Sequence, residues 1–264
     1  VLMFAPVIAA GQSTDLGAVA DKVFAQWTRE TPGCAVGVAQ GGRTLLTRGY
    51  GMANLETGTP IAAETIFESG SVAKQFTAAA TLLLMADGKL RLDDKVQKFL
   101  PELPEYGRPV TIRHLLSHTS GLREGSNLVA VDGWARGTRV HRQDDLLEAV
   151  FAQKEVNYPV GDHYSYTNSG FGLLVTIIER ASGMPFERFT AERLFKPLGM
   201  TQTSWRDDFE RIVPGRAQAY SRRGTAWGLE MPFENVVGPG GMLTTVGDWL
   251  KWNDHLDRKT LGAW

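Results

Sequence analysis

Two short groups of residues in this 264-residue chain could perform acyl-transfer chemistry. The first is Ser71-Val72-Ala73-Lys74, which follows Gly70 where a strongly apolar run, Val72 to Ala86, begins. That run reads as a helix, with Gly88 as the glycine that closes it. A serine at a helix start is favourably followed three residues later by an acid, which the helix dipole stabilises. Here that position is a lysine, and the dipole opposes a cation in the first turn by roughly 0.3–1 kcal/mol. Local rules broken in this way tend to mark function.

Residues three apart on a helix share a face, so Lys74 Nζ can reach Ser71 Oγ. The dipole and partial burial both disfavour the ammonium. A neutral Lys74 would take the serine proton; a charged one would depress the pKa of a neighbouring base. On either route Ser71 becomes an activated nucleophile. About 0.4 SxxK patterns are expected by chance at this composition. The plain alternative therefore stays open, with Ser71 an ordinary turn residue and Lys74 exposed.

The second group is Tyr166-Thr167-Asn168, in the turn-rich stretch PVGDHYSYTNSG ahead of an apolar helix. Residues two apart on an extended segment point the same way, so phenol and carboxamide can line one pocket. A phenol beside Lys74 would have its pKa lowered by the positive charge, making phenolate a possible base. The Asn168 carboxamide can donate to a substrate carbonyl and accept from Lys74. The plain alternative is a capping turn with Asn168 as N-cap and Tyr166 in the core.

Other motifs are missing. No serine sits in a GxSxG elbow, and there is no HExxH, GxxxxGK or strand-linked GxGxxG. His114 and His118 are four apart and could place two metal ligands on one helix face. No adjacent glutamate base or evident third ligand accompanies them, so packing or hydrogen-bonding roles are preferred and no metal is assigned. A metal hydrolase built on this pair is the remote rival. No organic cofactor is expected.

The elements that must position these groups follow from periodicity and turn residues. Asp15 to Glu30 reads as an amphipathic helix with Asp15 as N-cap. Ala35 to Gln40 and Arg43 to Tyr50 flank Gly41-Gly42, a hairpin signal. Ile112–Ser117, Gln143–Gln153, Ser169–Ser182, Pro185–Phe195 and Thr245–Leu256 read as helices, with Pro185 at N1 and Gly183 and Gly199 as stops. Two strands do not make a stable sheet. Either strands hide in Phe209–Glu234, where Trp227 to Met231 is weakly strand-like, or the chain ends before its sheet is complete. The layout reads as an α/β layer with a large helical insertion rather than alternating βαβ units, an α+β fold with its α/β part at about 14–95 and 235–264 and its helical part at about 96–234.

Composition narrows the function further. Hydrophobic residues make up 43% and charged residues 22%, ordinary for a globular chain. The net charge of −1 lacks the basic surplus that a nucleic-acid partner demands. Cys34 is the single cysteine, so no intrachain disulfide or Cys-rich metal site can form. No run of 18 apolar residues could span a bilayer. The start, VLMFAPVIAA followed by GQSTD, looks like the end of a secretory signal without its charged region. Residues 1–13 are therefore read as a leader remnant, 14–264 as the folded part, and the protein as exported, periplasmic or secreted.

Taken together, SVAKQFT at 71–77 and YTN at 166–168 resemble the serine β-lactamase/penicillin-binding-protein superfamily. The resemblance is to the branch of class C β-lactamases, D-alanyl-D-alanine carboxypeptidases and related esterases. RHLLSHTSGL (113–122), PVGDHYSYTN and GPGGMLTT (238–245) match too, so the likeness covers roughly 15–258. It implies Ser71 as nucleophile, Lys74 as its hydrogen-bonded partner, Tyr166 as general base and acid, and Asn168 orienting Lys74 and the substrate amide. It implies a β-lactamase/transpeptidase-like fold: an antiparallel sheet flanked by helices, joined to an all-helical region, with the site between them.

The family's third motif, Lys/His-x-Gly on a late strand, is not found. Lys259-Thr260-Leu261-Gly262 has its glycine one place late and reads as the loop after a helix. The expectation is a chain cut short at both ends, lacking that motif and the strands around it. The expected activity is acyl-enzyme hydrolysis of an amide, β-lactam or ester in a small molecule or peptide. The rival is a non-catalytic domain that binds a peptide or β-lactam. Substrate choice and oligomeric state stay open; Arg123 to Thr138, with Trp134, is a candidate rim of the pocket.

Overall fold

The computed structural model describes residues 15–134, 139–231 and 234–262. The expected leader at 1–13 lies outside them. Helix α1 (Leu16–Val23) is capped by Asp15, whose carboxylate accepts from Gly17 N at 2.9 Å and Ala18 N at 3.2 Å. It is shorter than the predicted Asp15–Glu30. Beyond it the Thr28 and Thr31 hydroxyls accept from Glu30 N and Thr28 N, and such local bonds compete with helix continuation.

Strands β1 (Cys34–Gln40) and β2 (Arg43–Tyr50) form the expected antiparallel hairpin. Gly41 and Gly42 have φ of 56° and 77°, the left-handed pair that a two-residue turn requires. Nine short strands follow: β3 (Met52–Asn54), β4 (Thr59–Pro60), β5 (Phe67–Glu68), β6 (His141–Arg142), β7 (Ser204–Trp205), β8 (Tyr220–Arg223), β9 (Ala226–Leu229), β10 (Glu234–Asn235) and β11 (Met242–Thr244). The hidden strands of Phe209–Glu234 include the β8–β9 hairpin, which contains Trp227. Strand β11 lies between β5 and β7, both antiparallel to it. Within 96–234 the helices are joined by long irregular stretches and accompanied by strands β6 to β10.

The remaining helices are α2 (Lys74–Ala86), α3 (Ile112–Leu116), α4 (Gly125–Val131), α5 (Gln143–Phe151), α6 (Ser169–Ser182), α7 (Phe186–Thr190) and α8 (Val246–Arg258). Helix α6 has the predicted bounds. The predicted Pro185–Phe195 helix divides into α7 and a wider π-type turn, Ala191–Phe195. Pro185 is the cap residue rather than N1. Lys259 leaves α8 with φ 54°, so Lys259–Gly262 is indeed the loop after a helix.

The core is built mainly by α2 and α6. Phe76, Ala80 and Leu84 pack with Leu173, Leu174, Ile177 and Ile178, all at most 2% exposed. Burying each such large side chain contributes about 1.5–3 kcal/mol. Helix α8 ties this core to the hairpin. Trp252 lies 4.3 Å from the Phe76 ring, and Gly37 of β1 leaves room for Val246 and Leu250, since a Cβ there would sit 2.7 Å from Val246 Cγ2. Among the described residues, no helix is long and apolar enough to cross a membrane.

Candidate active site

Ser71 does not sit inside α2. It lies in a 3-10 turn, Gly70–Ala73, and Lys74 is the first residue of the α-helix. The turn is held from below: Ser69 N donates to Met242 O at 2.8 Å, next to the β5–β11 pairing. Ser71 is exposed, as a nucleophile must be, while Lys74 is 8% exposed.

Lys74 Nζ donates to two obligate acceptors, Asn168 Oδ1 and Pro239 O, each at 2.7 Å. Its contact with Ser71 Oγ is longer, at 3.4 Å. Burial pushes the amine below its ordinary pKa; the hydrogen bond and charge of Tyr166 and the Glu124 charge pull the other way. Tyr166 OH donates to Ser71 Oγ at 2.7 Å and lies 3.3 Å from Asn168 Oδ1. Lys74 Nζ stands 4.8 Å from the Tyr166 ring centroid. The structure therefore brings Ser71, Lys74, Tyr166 and Asn168 into one cluster. Tyr166 is 47% exposed rather than in the core, and Asn168 takes the N-cap position of α6, though its side chain makes no cap bond.

Pro239 is delivered by a tightly packed loop. Gly238 has φ 94°, and a Cβ there would sit 2.2 Å from Val175 Cγ2 on α6. Its carbonyl accepts from Thr77 Oγ1 at 2.9 Å on α2. Only glycine allows this loop between the two helices.

The sequence reading missed Glu124. Its carboxylate accepts from Asn168 N at 2.5 Å, Thr167 Oγ1 at 2.9 Å and Ser126 Oγ at 2.8 Å, with Asn168 Nδ2 at 3.4 Å. It thereby turns Asn168 so that Oδ1 faces Lys74. The one available signal was its place before the Gly125-Ser126 helix start, where it caps α4.

The cluster opens into a cleft of about 390 Å³ lined by Ser71, Asn168, Glu124, Glu68, Glu234 and the Pro239–Gly241 loop. The Arg123–Thr138 segment contributes Glu124, Ser126, Asn127 and Ala130 to it. Trp134 is not among the described lining residues; its carbonyl pairs with His141 Nε2 at 2.8 Å. Residues 135–138 lie outside the described chain. Behind the wall, Arg206, 1% exposed, reaches Glu68 Oε1 at 3.1 Å and Glu234 Oε1 at 3.4 Å.

His114 and His118 do not converge. His114 Nδ1 accepts from Thr111 N in the capping box of α3, and His118 turns toward Tyr166. Among the described residues no group of three or more His, Cys, Asp or Glu could hold a metal ion.

The architecture is of the β-lactamase/transpeptidase-like α+β type. It superimposes on the octameric penicillin-binding protein homologue from Pyrococcus abyssi with a TM-score of 0.81 at 27% identity, over 95% of this chain and 58% of that one. The family model described as Beta-lactamase matches residues 19–264, and the chain belongs to that family. Penicillin-binding protein 4* of Bacillus subtilis (strain 168) is 34% identical over 69% of this chain and 40% of its own length. A D-aminopeptidase of Cereibacter sphaeroides (strain KD131 / KCTC 12085) is 32% identical over 86% of this chain and 43% of its own. The chain thus spans less than half the length of either relative. The D-amino acid amidase from Ochrobactrum anthropi SV3 shares the fold, with a TM-score of 0.78 at 20% identity, over 94% of this chain and 72% of that one.

Proposed function

We propose that the protein is a serine hydrolase that cleaves an amide or ester through an acyl-enzyme on Ser71. One observation carries this reading: Tyr166 OH lies 2.7 Å from Ser71 Oγ, within proton-transfer reach, whereas Lys74 Nζ is at 3.4 Å. Of the two routes open from the sequence, the geometry favours Tyr166 as base. Acting as base beside Lys74, Tyr166 takes the serine proton as Oγ bonds to the carbonyl carbon, the Tyr166–Ser71 hydrogen bond running from Oγ to the phenol oxygen in that step. The proton then passes to the leaving nitrogen or oxygen as its bond to carbon breaks. Water repeats the sequence in reverse, giving its proton to Tyr166 and restoring the serine hydroxyl. Asn168 fixes Lys74 through Oδ1, and its Nδ2 is available to a substrate carbonyl at the cleft.

The cleft also favours a substrate type. Among the described residues, Glu68, Glu124 and Glu234 line it, Lys74 lies beneath it, and Arg206 lies behind it with Arg216 close to Arg206 and Glu68. With the carboxylates on the lining itself and the cations beneath and behind it, the cleft suits a substrate with a free ammonium group better than one with a carboxylate. The D-aminopeptidase likeness agrees with an aminoacyl amide. Export remains part of the reading and rests on residues 1–10; a processed N-terminus in the extracytoplasmic fraction tests it.

Ser71→Ala should lower turnover by roughly 10³–10⁶ while substrate binding is largely kept. Mass spectrometry of the wild type with a reactive ester should show an acyl adduct on Ser71 that decays with product release. Near-normal turnover in Ser71→Ala removes Ser71 from the mechanism. An N-acetylated aminoacyl p-nitroanilide cleaved as well as its free-amine form would remove the ammonium reading and leave the acyl-enzyme intact.

A further inference from the structure

We propose that His118 is the positioning residue for Tyr166: it holds the backbone on both sides of the phenol, and the side-chain half of that hold, at Thr167, exists only while its imidazole is neutral. The inference rests on Tyr166 acting on Ser71.

His118 binds both neighbours of Tyr166. Its carbonyl accepts from Ser165 N at 2.9 Å, and its Nδ1 accepts from Thr167 N at 3.3 Å. Its ring packs on the Tyr166 ring with centroids 4.6 Å apart and planes at 32°, and on Phe171 at 5.2 Å. Backbone on either side and ring face are thus set by one residue. His118 pays for this placement in strain: it is one of two described non-glycine residues with positive φ, at 56°.

A backbone N–H can only donate. Nδ1 must therefore present its lone pair, and the ring proton sits on Nε2. Protonation would aim a second N–H at Thr167 N–H and put a second cation beside Lys74. The charged groups facing the ring are Lys74 and Glu124, and the other titratable neighbours are Tyr166 and Tyr164. Burial and the Lys74 charge hold the imidazole below its ordinary pKa against the Glu124 charge, and the Thr167 N–H, which only an unprotonated Nδ1 can accept, favours the same neutral form. The clamp is therefore closed at neutral pH and opens as pH falls through that lowered value.

The test uses the intact protein, p-nitrophenyl acetate as probe, and two variants. His118→Asn keeps an acceptor near the Nδ1 position and tolerates left-handed backbone. His118→Phe keeps a ring and loses the acceptor. At pH 7.5, His118→Asn should stay within about threefold of wild type, while His118→Phe should lose about 10–100-fold in kcat with little change in KM. The wild type should show a fall in kcat on the acid side of about pH 6.5 that His118→Asn lacks. Nitrogen NMR of the wild type should report Nδ1 unprotonated at pH 7. Wild-type kcat in His118→Phe, an acid limb unchanged in His118→Asn, or a proton on Nδ1 overturns the inference. Should His118→Phe fail to fold, the His118→Asn profile and the NMR signal decide. Absence of any Ser71 acyl adduct in the wild type would instead sink the catalytic reading, and the nitrogen shift still tests the clamp on its own.

Discussion

Glu124→Ala is the most searching perturbation of the site that leaves the cluster's own side chains in place. The carboxylate serves the Asn168 backbone N–H at 2.5 Å and the Thr167 hydroxyl at 2.9 Å. Alanine would leave both donors without that acceptor at a half-buried position. Each unsatisfied donor costs about 1–3 kcal/mol, and the hydroxyl can rotate to recover part of its share. The expected loss is about 2–4 kcal/mol, a large fraction of the roughly 5–15 kcal/mol that stabilises a domain. Function should fall as well, because Asn168 would no longer be held with Oδ1 toward Lys74. A drift of about 1 Å among such groups costs roughly 10²-fold in rate. Urea unfolding followed by Trp fluorescence gives the first number, and kcat on a p-nitrophenyl ester gives the second. Glu124→Gln separates the terms. Its carbonyl oxygen can keep the Asn168 and Thr167 bonds while its amide group faces Ser126 Oγ, which can reverse to accept. It should lie between wild type and alanine in both measurements. A Glu124→Ala protein within about 0.5 kcal/mol of wild type and equally active would show that this carboxylate holds nothing.

Three further outcomes follow from named contacts. Lys74 has a lowered folded-state pKa, so between that value and 10.5 the unfolded chain holds a proton that the native state lacks. The stability of wild type relative to Lys74→Met should therefore rise with pH across that window and stay flat below it; a flat difference throughout would contradict the buried amine. Gly238→Ala combines positive φ with a contact 2.2 Å from Val175 Cγ2 and should cost about 2–5 kcal/mol, read as a lower urea midpoint. Asp248, 1% exposed, accepts from Gln202 N and Thr203 Oγ1, both at 2.8 Å, and pairs with Lys251 at 2.7 Å. Asp248→Ala should lower stability by about 2–4 kcal/mol, and an unchanged midpoint would show those donors re-pair elsewhere.

What the sequence determined by itself is local. The Gly41-Gly42 hairpin, the Asp15 cap and the Ser169–Ser182 helix follow from residues within a few positions of each other, where backbone sterics and amphipathic period decide. Ser71 and Lys74 were legible for the same reason: three residues at a helix start set their distance, and a cation in the first turn runs against the helix dipole. Tyr166 and Asn168 were legible as a pair because two residues of extended chain align them. Tertiary structure alone decided the rest. It set Tyr166 at 2.7 Å from Ser71 across 95 residues of chain, and it supplied Pro239 O as the second anchor of Lys74. It made Glu124 the support of Asn168 and turned His118 away from His114 toward the phenol. No local pattern encodes these contacts. They depend on how α2, α6 and the Gly238 loop close on one another, and that closure is fixed by the shape of a core whose members are far apart in sequence.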